Sequence, residues 1–298
     1  MRTLSIIILS YNTEQLTRDC LGALVASITP YSTIGFEIIV VDNASSDGSA
    51  AMLEQFKSSH VVPNLSIQVI LNKENEGFPK GNNRGVRAST GEYVLFLNSD
   101  VMVADIHWTE VLQYMAEHPN VGALTVKVNL PTNTIDPASH RGFPTIWNSF
   151  TYYSGLEKVS KYLPFLSKSF GGYHLIHHSL NHIHEIDSPS GAFYLMRRSL
   201  FDEIGGFDEE FFMYGEDLDL SFRIKEQGYK IIYYPKYTVL HLKHQSGLKK
   251  KKTAVRSKTK QYFYNAMKIF YRKHYASQHT SVTNALLYFF IDLKSKLS

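Results

Sequence analysis

Over its first 125 or so residues the chain alternates short apolar, β-branched runs with longer mixed segments. Runs of about four to eight such residues, closed by polar residues, read as buried strands, and the mixed segments between them as helices. The predicted strands are LSIIILS, FEIIVVD, SIQVILN and EYVLFLN, with helices over 14–27, 47–57 and 80–88. Such alternation predicts a Rossmann-like α/β fold, a mostly parallel central sheet flanked by helices. Three strands run directly into polar residues: Ser10, Tyr11 and Asn12; Asp42 and Asn43; Asn98, Ser99 and Asp100. Ligands of open α/β sheets bind at the carboxyl ends of the strands, so these residues are expected to line one crevice.

The pattern fades over 131–184, where aromatic residues and histidines crowd a loop-rich stretch to which no regular structure is assigned. Order resumes with GAFYLMRR and continues through GEDLDLSFRIKEQGYKIIYYP to VLHLKH. DLDLSFRI alternates with period two, as a strand would. Acidic residues at its start, Lys225 and Gly228 at its end, and the i,i+4 pairs Leu218–Phe222 and Leu220–Ile224 predict a helix instead. A last block, RSKTKQYFYNAMKIFYRKHY, puts Phe263, Met267, Phe270 and His274 on one helical stripe. The division expected is a catalytic domain over 1–245 and a basic, amphipathic helical extension over 246–298.

Composition narrows the class. At 298 residues and 44% hydrophobic, the chain is large enough for one sizeable core and is not a disordered protein. Cys20 is its one cysteine, which excludes an intrachain disulfide and a cysteine-built zinc cluster. A reducing, cytoplasmic location is expected. SIIIL is too short for a signal-peptide core, and ALLYFFI falls far below the roughly 20 residues that cross a bilayer, so no membrane span is expected. The net charge is only +4, yet no Asp or Glu occurs over 246–291 while Lys and Arg recur, so an anionic partner is expected at that end.

Several residues can carry chemistry. Asp42, at a strand end beside Asn43 and Ser45, can accept a hydrogen bond from a base or ribose; the plainer reading is a cap for the next helix. In NEGFPKGNNRG the glycines would let backbone amides approach a ligand, with Lys80 or Arg84 neutralising phosphate, but the segment is neither a phosphate loop nor a dinucleotide fingerprint. Asp100 can hold a hard divalent cation that bridges two phosphates, against the plainer reading of an Asx turn. Glu216 and Asp217 open a helix, where the positive end of the dipole keeps a carboxylate ionised, as a general base requires; acidic residues also stand there for helix stability alone. His241 and His244 follow an apolar strand and can complete a metal site, although a lone histidine there is more often structural. The histidines of HLIHHSLNHIH lack tidy ligand spacing and read as an exposed or acceptor-lining loop.

Taken together, SIIILSYN, VVDNASSDGS, NEGFPKGNNRG, EYVLFLNSDVMV, SGAFYLMRRSLFDEIGGFDEEFFMYGEDLDLSFR and the strand ending at His241 occur in one order over about 4–245. In this the chain resembles the family 2 inverting glycosyltransferases of GT-A fold, and among them the bacterial rhamnosyltransferase-like branch. The resemblance implies that Asp42 contacts the nucleoside, with Ser10, Tyr11 and Asn12 around base and ribose. It implies that Asn82 and Asn83 stand in the donor-site turn, where many members carry Arg-Asn. Asp100 matches the metal-binding aspartate, with Asn98 and Ser99 beside it and Asn98 where many relatives have aspartate. His241 matches a histidine that binds the same metal in some members, and Asp217 the catalytic base. The expected cofactor is Mg2+ or Mn2+, and one carboxylate from this motif implies weak metal binding until the nucleotide sugar arrives.

The implied partners are a nucleotide-sugar donor, dTDP-rhamnose first and UDP-sugars as alternatives, and a saccharide or lipid-linked saccharide acceptor in cell-surface polysaccharide synthesis. Nucleic acid is not expected. The basic C-terminal helix reads either as a helix packed on the catalytic domain or as an interfacial helix on anionic lipid at the inner face of the plasma membrane. Two rivals stand beside this reading. A sugar-phosphate nucleotidyltransferase would carry a glycine-rich loop with Arg and Lys after the first strand, where this chain has SYNTEQLT; a non-catalytic binding protein would not need Asp100, Asp217 and His241 together.

Overall fold

The computed structural model describes residues 3–243 and 253–297. In chain order the elements are β1 (Thr3–Ser10), α1 (Glu14–Ile28), β2 (Gly35–Asp42), α2 (Ser49–Ser59), β3 (Leu65–Leu71), α3 (Phe78–Arg87), β4 (Tyr93–Asn98), β5 (Val101–Met102), α4 (Trp108–Glu117) and β6 (Val121–Asn129). There follow α5 (Ile146–Ser154), α6 (Leu156–Ser160), α7 (Ser167–Phe170), β7 (His184–Ile186), β8 (Phe193–Arg197), α8 (Arg198–Glu203), α9 (Glu216–Glu226), β9 (Lys230–His241), α10 (Thr253–His274) and α11 (Ser281–Leu297). The nine-stranded sheet runs β3-β2-β1-β4-β8-β6-β9-β5, with β7 added on β9. The first four neighbours are parallel, as the alternating pattern predicts. β8 enters antiparallel between β4 and β6, β6 and β9 are again parallel, and the short β5 and β7 run against β9.

Strands covered on both faces carry apolar residues at consecutive positions, and β1 shows why. Leu4, Ile6 and Ile8 join one core layer with Leu21 and Leu24 of α1, while Ile7 joins the opposite layer with Val86 of α3 and Leu220 and Ile224 of α9. α3 lies close on that second face: a Cβ at Gly81 would stand 2.3 Å from Leu9, and one at Gly85 2.5 Å from Ile7. These two glycines therefore serve helix-to-strand packing, not the ligand approach expected from the sequence.

α9 explains its own misleading periodicity. Leu220 and Ile224 face the sheet, whereas Leu218 and Phe222 face a third apolar cluster with Phe211, Ala266 and Phe270. A helix buried on two sides carries apolar residues on both, and here they fall at alternate positions. The second side is covered by α10, whose Phe270 is buried, so half of the predicted stripe packs inward while Phe263 stays exposed. Asp219 reinforces this seat, accepting from His274 Nε2 at 2.8 Å and Lys273 Nζ at 2.6 Å. The stretch 131–184, expected to be irregular, contains the short helices α5 to α7. Among the described residues no helix is long and apolar enough to cross a membrane. His244 and the lysine run Lys249–Lys252 lie outside the described residues.

Candidate functional site

The sheet sets three of the predicted strand ends side by side. Ser10 of β1 is in register with Asp42 of β2, and Leu9 with Asn98 of β4. Asn12, in the left-handed region at φ 53°, ties the first two ends together: its Oδ1 accepts from Ser46 N at 2.7 Å and its own N–H donates to Ser45 Oγ at 2.8 Å. Asn43 ties β2 to the next loop, donating to Asn75 Oδ1 and accepting from Asn72 Nδ2 and Glu76 N. The strand ends thus form a braced rim.

Within this rim the side chains divide. Ser10 Oγ lies in a buried hydroxyl cluster, 3.2 Å from Thr13 Oγ1 and 3.0 Å from Thr17 Oγ1, and Ser99 Oγ reaches the same cluster at 3.3 Å. Both serve the underside of the crevice, while the Tyr11 ring is 43% exposed at its edge. Asp42 accepts from Ser45 N through Oδ2, and the helix start belongs to Asp47, whose Oδ1 accepts from Ser49 N. The helix-cap reading of Asp42 is thereby removed. Its Oδ1 is buried and has no hydrogen-bond partner among the described residues, an acceptor open to an incoming donor.

Asp100 points at His241. β5 pairs with the end of β9, with Val101 opposite His241, and His241 Nε2 lies 3.2 Å from Asp100 Oδ1. On the far side His241 Nδ1 donates to Asp136 Oδ2 at 2.8 Å, and Lys243 Nζ holds the other oxygen of Asp136 at 2.7 Å. Burial alone would lower the imidazole; the carboxylates on both sides outweigh it and raise it to about 9. This donor set fits Mg2+ or Mn2+: a carboxylate oxygen and an imidazole nitrogen face each other, and the second ring nitrogen is oriented by a carboxylate behind it. No group of three or more metal-binding side chains gathers among the described residues, so a metal held here would need further oxygen ligands from elsewhere. Sequence reasoning missed Asp136, which stands in the loop-rich stretch; the Asp-Pro pair that opens a 3-10 turn at 137–139 was its signal.

Asp217 opens α9 after Gly215, which is left-handed at φ 79°. Its Oδ2 accepts from Arg141 Nη2 at 2.5 Å, a buried ion pair also missed from the sequence. Arg141 Nη2 donates as well to Pro189 O, and Ser188 Oγ donates to the backbone oxygen of Asp217. The other end of this segment reaches β4, where Asn98 N donates to Ala192 O at 3.4 Å and Asn98 Oδ1 lies beside Gly191. Five residues, 188–192, therefore join Asp217 to the strand that delivers Asp100. Glu216 departs from expectation: burial foremost, then the charge of Asp217, raises its carboxyl to about 8, outweighing the helix terminus.

Asn82 and Asn83 stand apart from this arrangement. Asn82 Nδ2 donates to Phe78 O within α3. Asn83 grips the loop after α8, donating to Phe207 O and Glu209 Oε1 and accepting from Phe207 N. Arg84 is taken up by Glu76 at 2.7 Å. The histidine-rich loop folds over β9, with His140 Nε2 and His184 Nε2 at 2.7 Å and the His178 ring stacked on His184.

The Glycosyl transferase family 2 model matches residues 5–205, two thirds of the chain, and spans the rim and the 188–192 segment. The chain belongs to glycosyl transferase family 2. A second model, Glycosyl transferase family group 2, matches residues 159–293. Among curated relatives, this family 2 chain is 29% identical to the O-antigen biosynthesis protein RfbC of Myxococcus xanthus over 77% of its own length and 16% of that protein. It is 25% identical to the N-acetylglucosaminyl-diphospho-decaprenol L-rhamnosyltransferase of Mycobacterium tuberculosis, covering 76% of this chain and 73% of the relative. Against the poly-beta-1,6-N-acetyl-D-glucosamine synthase of Staphylococcus epidermidis it spans only 48% of the relative's length. In fold, the family 2 chain is similar to the mannosyltransferase PcManGT from Pyrobaculum calidifontis, solved with GDP-Man and Mn2+, at 19% identity and TM-score 0.59 over 91% of this chain and 64% of that one. The S. aureus TarS fragment 1-349 with UDP-GlcNAc gives 19% identity and TM-score 0.57 over 91% and 65%. The architecture is the GT-A fold.

Proposed function

We propose that this family 2 chain transfers a sugar from a nucleotide-sugar donor to a saccharide or lipid-linked saccharide acceptor in cell-surface polysaccharide synthesis. Rhamnose from dTDP-rhamnose is the first choice of donor and a UDP-sugar the second. The observation that carries the reading is the join between its two halves: segment 188–192, bonded at Ser188 to the backbone oxygen of Asp217, links that residue to the strand that brings Asp100 against His241. A fully extended five-residue segment spans at most about 18 Å, which bounds the separation of its two anchor points at Asp217 and β4. The rhamnosyl choice is supported by the similarity to the mycobacterial L-rhamnosyltransferase over most of both chains.

In this reading the partnerless Asp42 Oδ1 accepts from the nucleoside, with Tyr11 beside it on the rim that Asn12 braces. Asn82 and Asn83 act through the turn they hold in place. Asp100 and His241 hold Mg2+ or Mn2+, which when bound offsets charge on the departing diphosphate. Asp217 accepts the proton of an acceptor hydroxyl as its oxygen bonds to the anomeric carbon and the carbon–oxygen bond to the diphosphate breaks. One displacement inverts the configuration, and no enzyme nucleophile is used. The test is a nucleotide-sugar panel with Mg2+ or Mn2+ and a lipid-linked saccharide, reading nucleoside-diphosphate release. Asp217→Asn should abolish transfer while donor binding survives; undiminished turnover would remove Asp217 as base.

The membrane side of the proposal rests on a different surface from the α10 stripe, whose Phe270 is buried. Trp147, Phe150, Tyr162 and Phe165 around α5 to α7 are at least half exposed, as are Phe289 and Phe290 of α11. Lys294 Nζ stands 5.3 Å over the Tyr153 ring and joins the two sets. Aromatic residues flanked by lysines suit the interface of an anionic bilayer. Phe289→Ser with Phe290→Ser should reduce sedimentation with phosphatidylglycerol vesicles; unchanged binding would place any membrane contact elsewhere.

A further inference from the structure

Two adjacent carboxyls, Glu216 and Asp217, are buried at the start of α9, and the structure treats them differently. Asp217 receives the guanidinium of Arg141 at 2.5 Å and the N–H of Leu218 at 2.8 Å. Glu216 Oε2 is buried and has no hydrogen-bond partner among the described residues. Burying two neighbouring negative charges with one cation between them is costly, and such a pair relieves the cost by keeping one proton. Which carboxyl keeps it is decided by the placement of the cation.

We propose that Arg141 is a positioning residue for the transfer reaction, directing the one available negative charge onto Asp217 and leaving Glu216 as a neutral acid. The inference rests on the reading of Asp217 as base and adds the residue that makes it the ionised member of the pair. Arg141 is well anchored for the task. Its backbone oxygen accepts from Asp187 N and Ser188 N, and its Nη2 also donates to Pro189 O. The other charged and titratable groups around the pair leave the assignment to Arg141. Asp219 on the same helix is occupied by Arg223, Lys273 and His274. Tyr194 from β8 gives its hydroxyl to Ser221, Tyr173 lies against Arg141, and Tyr214 precedes the helix. The upward shift of Glu216 to about 8 agrees with a proton resident there at neutral pH.

The experiment is the pH profile of kcat between pH 5 and 9 at saturating donor and metal, for wild type, Arg141→Gln, Arg141→Lys and the double variant Arg141→Gln/Glu216→Gln. With the cation gone the charge is shared with Glu216, so Arg141→Gln should move the acid limb upward by about one pH unit, a tenfold loss at low pH, with donor KM unchanged. Arg141→Lys should return the limb part of the way. Adding Glu216→Gln should also return it, since only Asp217 can then carry the charge. A uniform fall in kcat at every pH in Arg141→Gln, or a limb that Glu216→Gln does not move, would overturn the proposal. Should Arg141→Gln fail to fold, infrared difference spectra of wild type against Glu216→Gln at pH 7 decide: a protonated-carboxyl band that vanishes in the variant supports it, and its absence sinks it. Full activity in Asp217→Asn would instead remove the underlying base assignment, a separate outcome.

Discussion

Asp219→Asn should release the C-terminal helices while leaving the crevice residues untouched. Asp219 is fully buried and accepts from Arg223 Nε at 2.9 Å, Lys273 Nζ at 2.6 Å and His274 Nε2 at 2.8 Å. Burial by itself would raise this carboxyl, but the bond from His274 and the charges of Arg223 and Lys273 bring it from 3.8 down to about 2. A displacement of that size corresponds to about 2.4 kcal/mol of folding stability. Because the folded value is the lower one, the contribution is fully present above the unfolded value near 4 and is lost as pH falls through 2; at pH 3 about half remains. Asparagine also strands cations, which in a closed site costs about 3–5 kcal/mol. Here Arg223 keeps Ile204 O and Gly206 O, and Lys273 keeps Asp208, so the lower figure is the better guide. Urea unfolding followed by circular dichroism should show a gap of about 2 kcal/mol between wild type and variant at pH 7, shrinking to about half at pH 3. Equal midpoints at pH 7, or a gap that acid does not reduce, would refute the account of how α10 is held.

The same geometry supports three further tests. Asp136→Asn weakens the carboxylate behind His241 and should lower Mn2+ affinity about 10- to 100-fold in nucleotide-dependent calorimetry; an unchanged affinity would detach His241 from the metal. Asn83→Leu removes three hydrogen bonds to 207–209 and should cost about 2 kcal/mol of stability with little change in donor KM; the reverse pattern would make Asn83 a donor contact. At Gly191 an added Cβ would stand 2.9 Å from the Phe78 ring and 3.7 Å from Asn98 Oδ1, so Gly191→Ala should cut kcat/KM at least tenfold with only about 1 kcal/mol lost on unfolding; normal kcat/KM would free segment 188–192 from a spacing role.

Legibility followed the range of the forces involved. β1, β2 and β4 could be read because strands buried on both faces must be apolar throughout, and their carboxyl ends located the rim containing Asp42 and Asp100. α9 could be read only through its boundary residues and its i,i+4 pairs, since burial against both sheet and α10 imposes a strand-like period. Partners far apart in sequence were hidden. Arg141 and Asp217 are 76 positions apart, Asp136 and His241 105; nothing local to Arg141 distinguishes it from an ordinary loop residue, and the proline after Asp136 signals only a turn. The short helices α5 to α7 escaped for a related reason: they are short and bury almost no apolar side chain, so no buried face imprinted a period on them.

Asp136 and Arg141 belong to one short stretch, and this changes the character of the region that the sequence left unassigned. Within six residues it sends one side chain behind the proposed metal ligand His241 and another onto the proposed base Asp217. Its backbone is clamped at the start of the 188–192 segment, where Ser188 N and the preceding Asp187 N both donate to Arg141 O. The two reacting ends are therefore braced twice, directly by 188–192 and from behind by 136–141. For a displacement in which base and leaving group must lie on opposite sides of one carbon, a double brace fixes their separation better than either segment alone, because a shift in one is resisted by the other. The stretch 136–141 is thus part of the frame of the site, and its sequence is constrained by spacing.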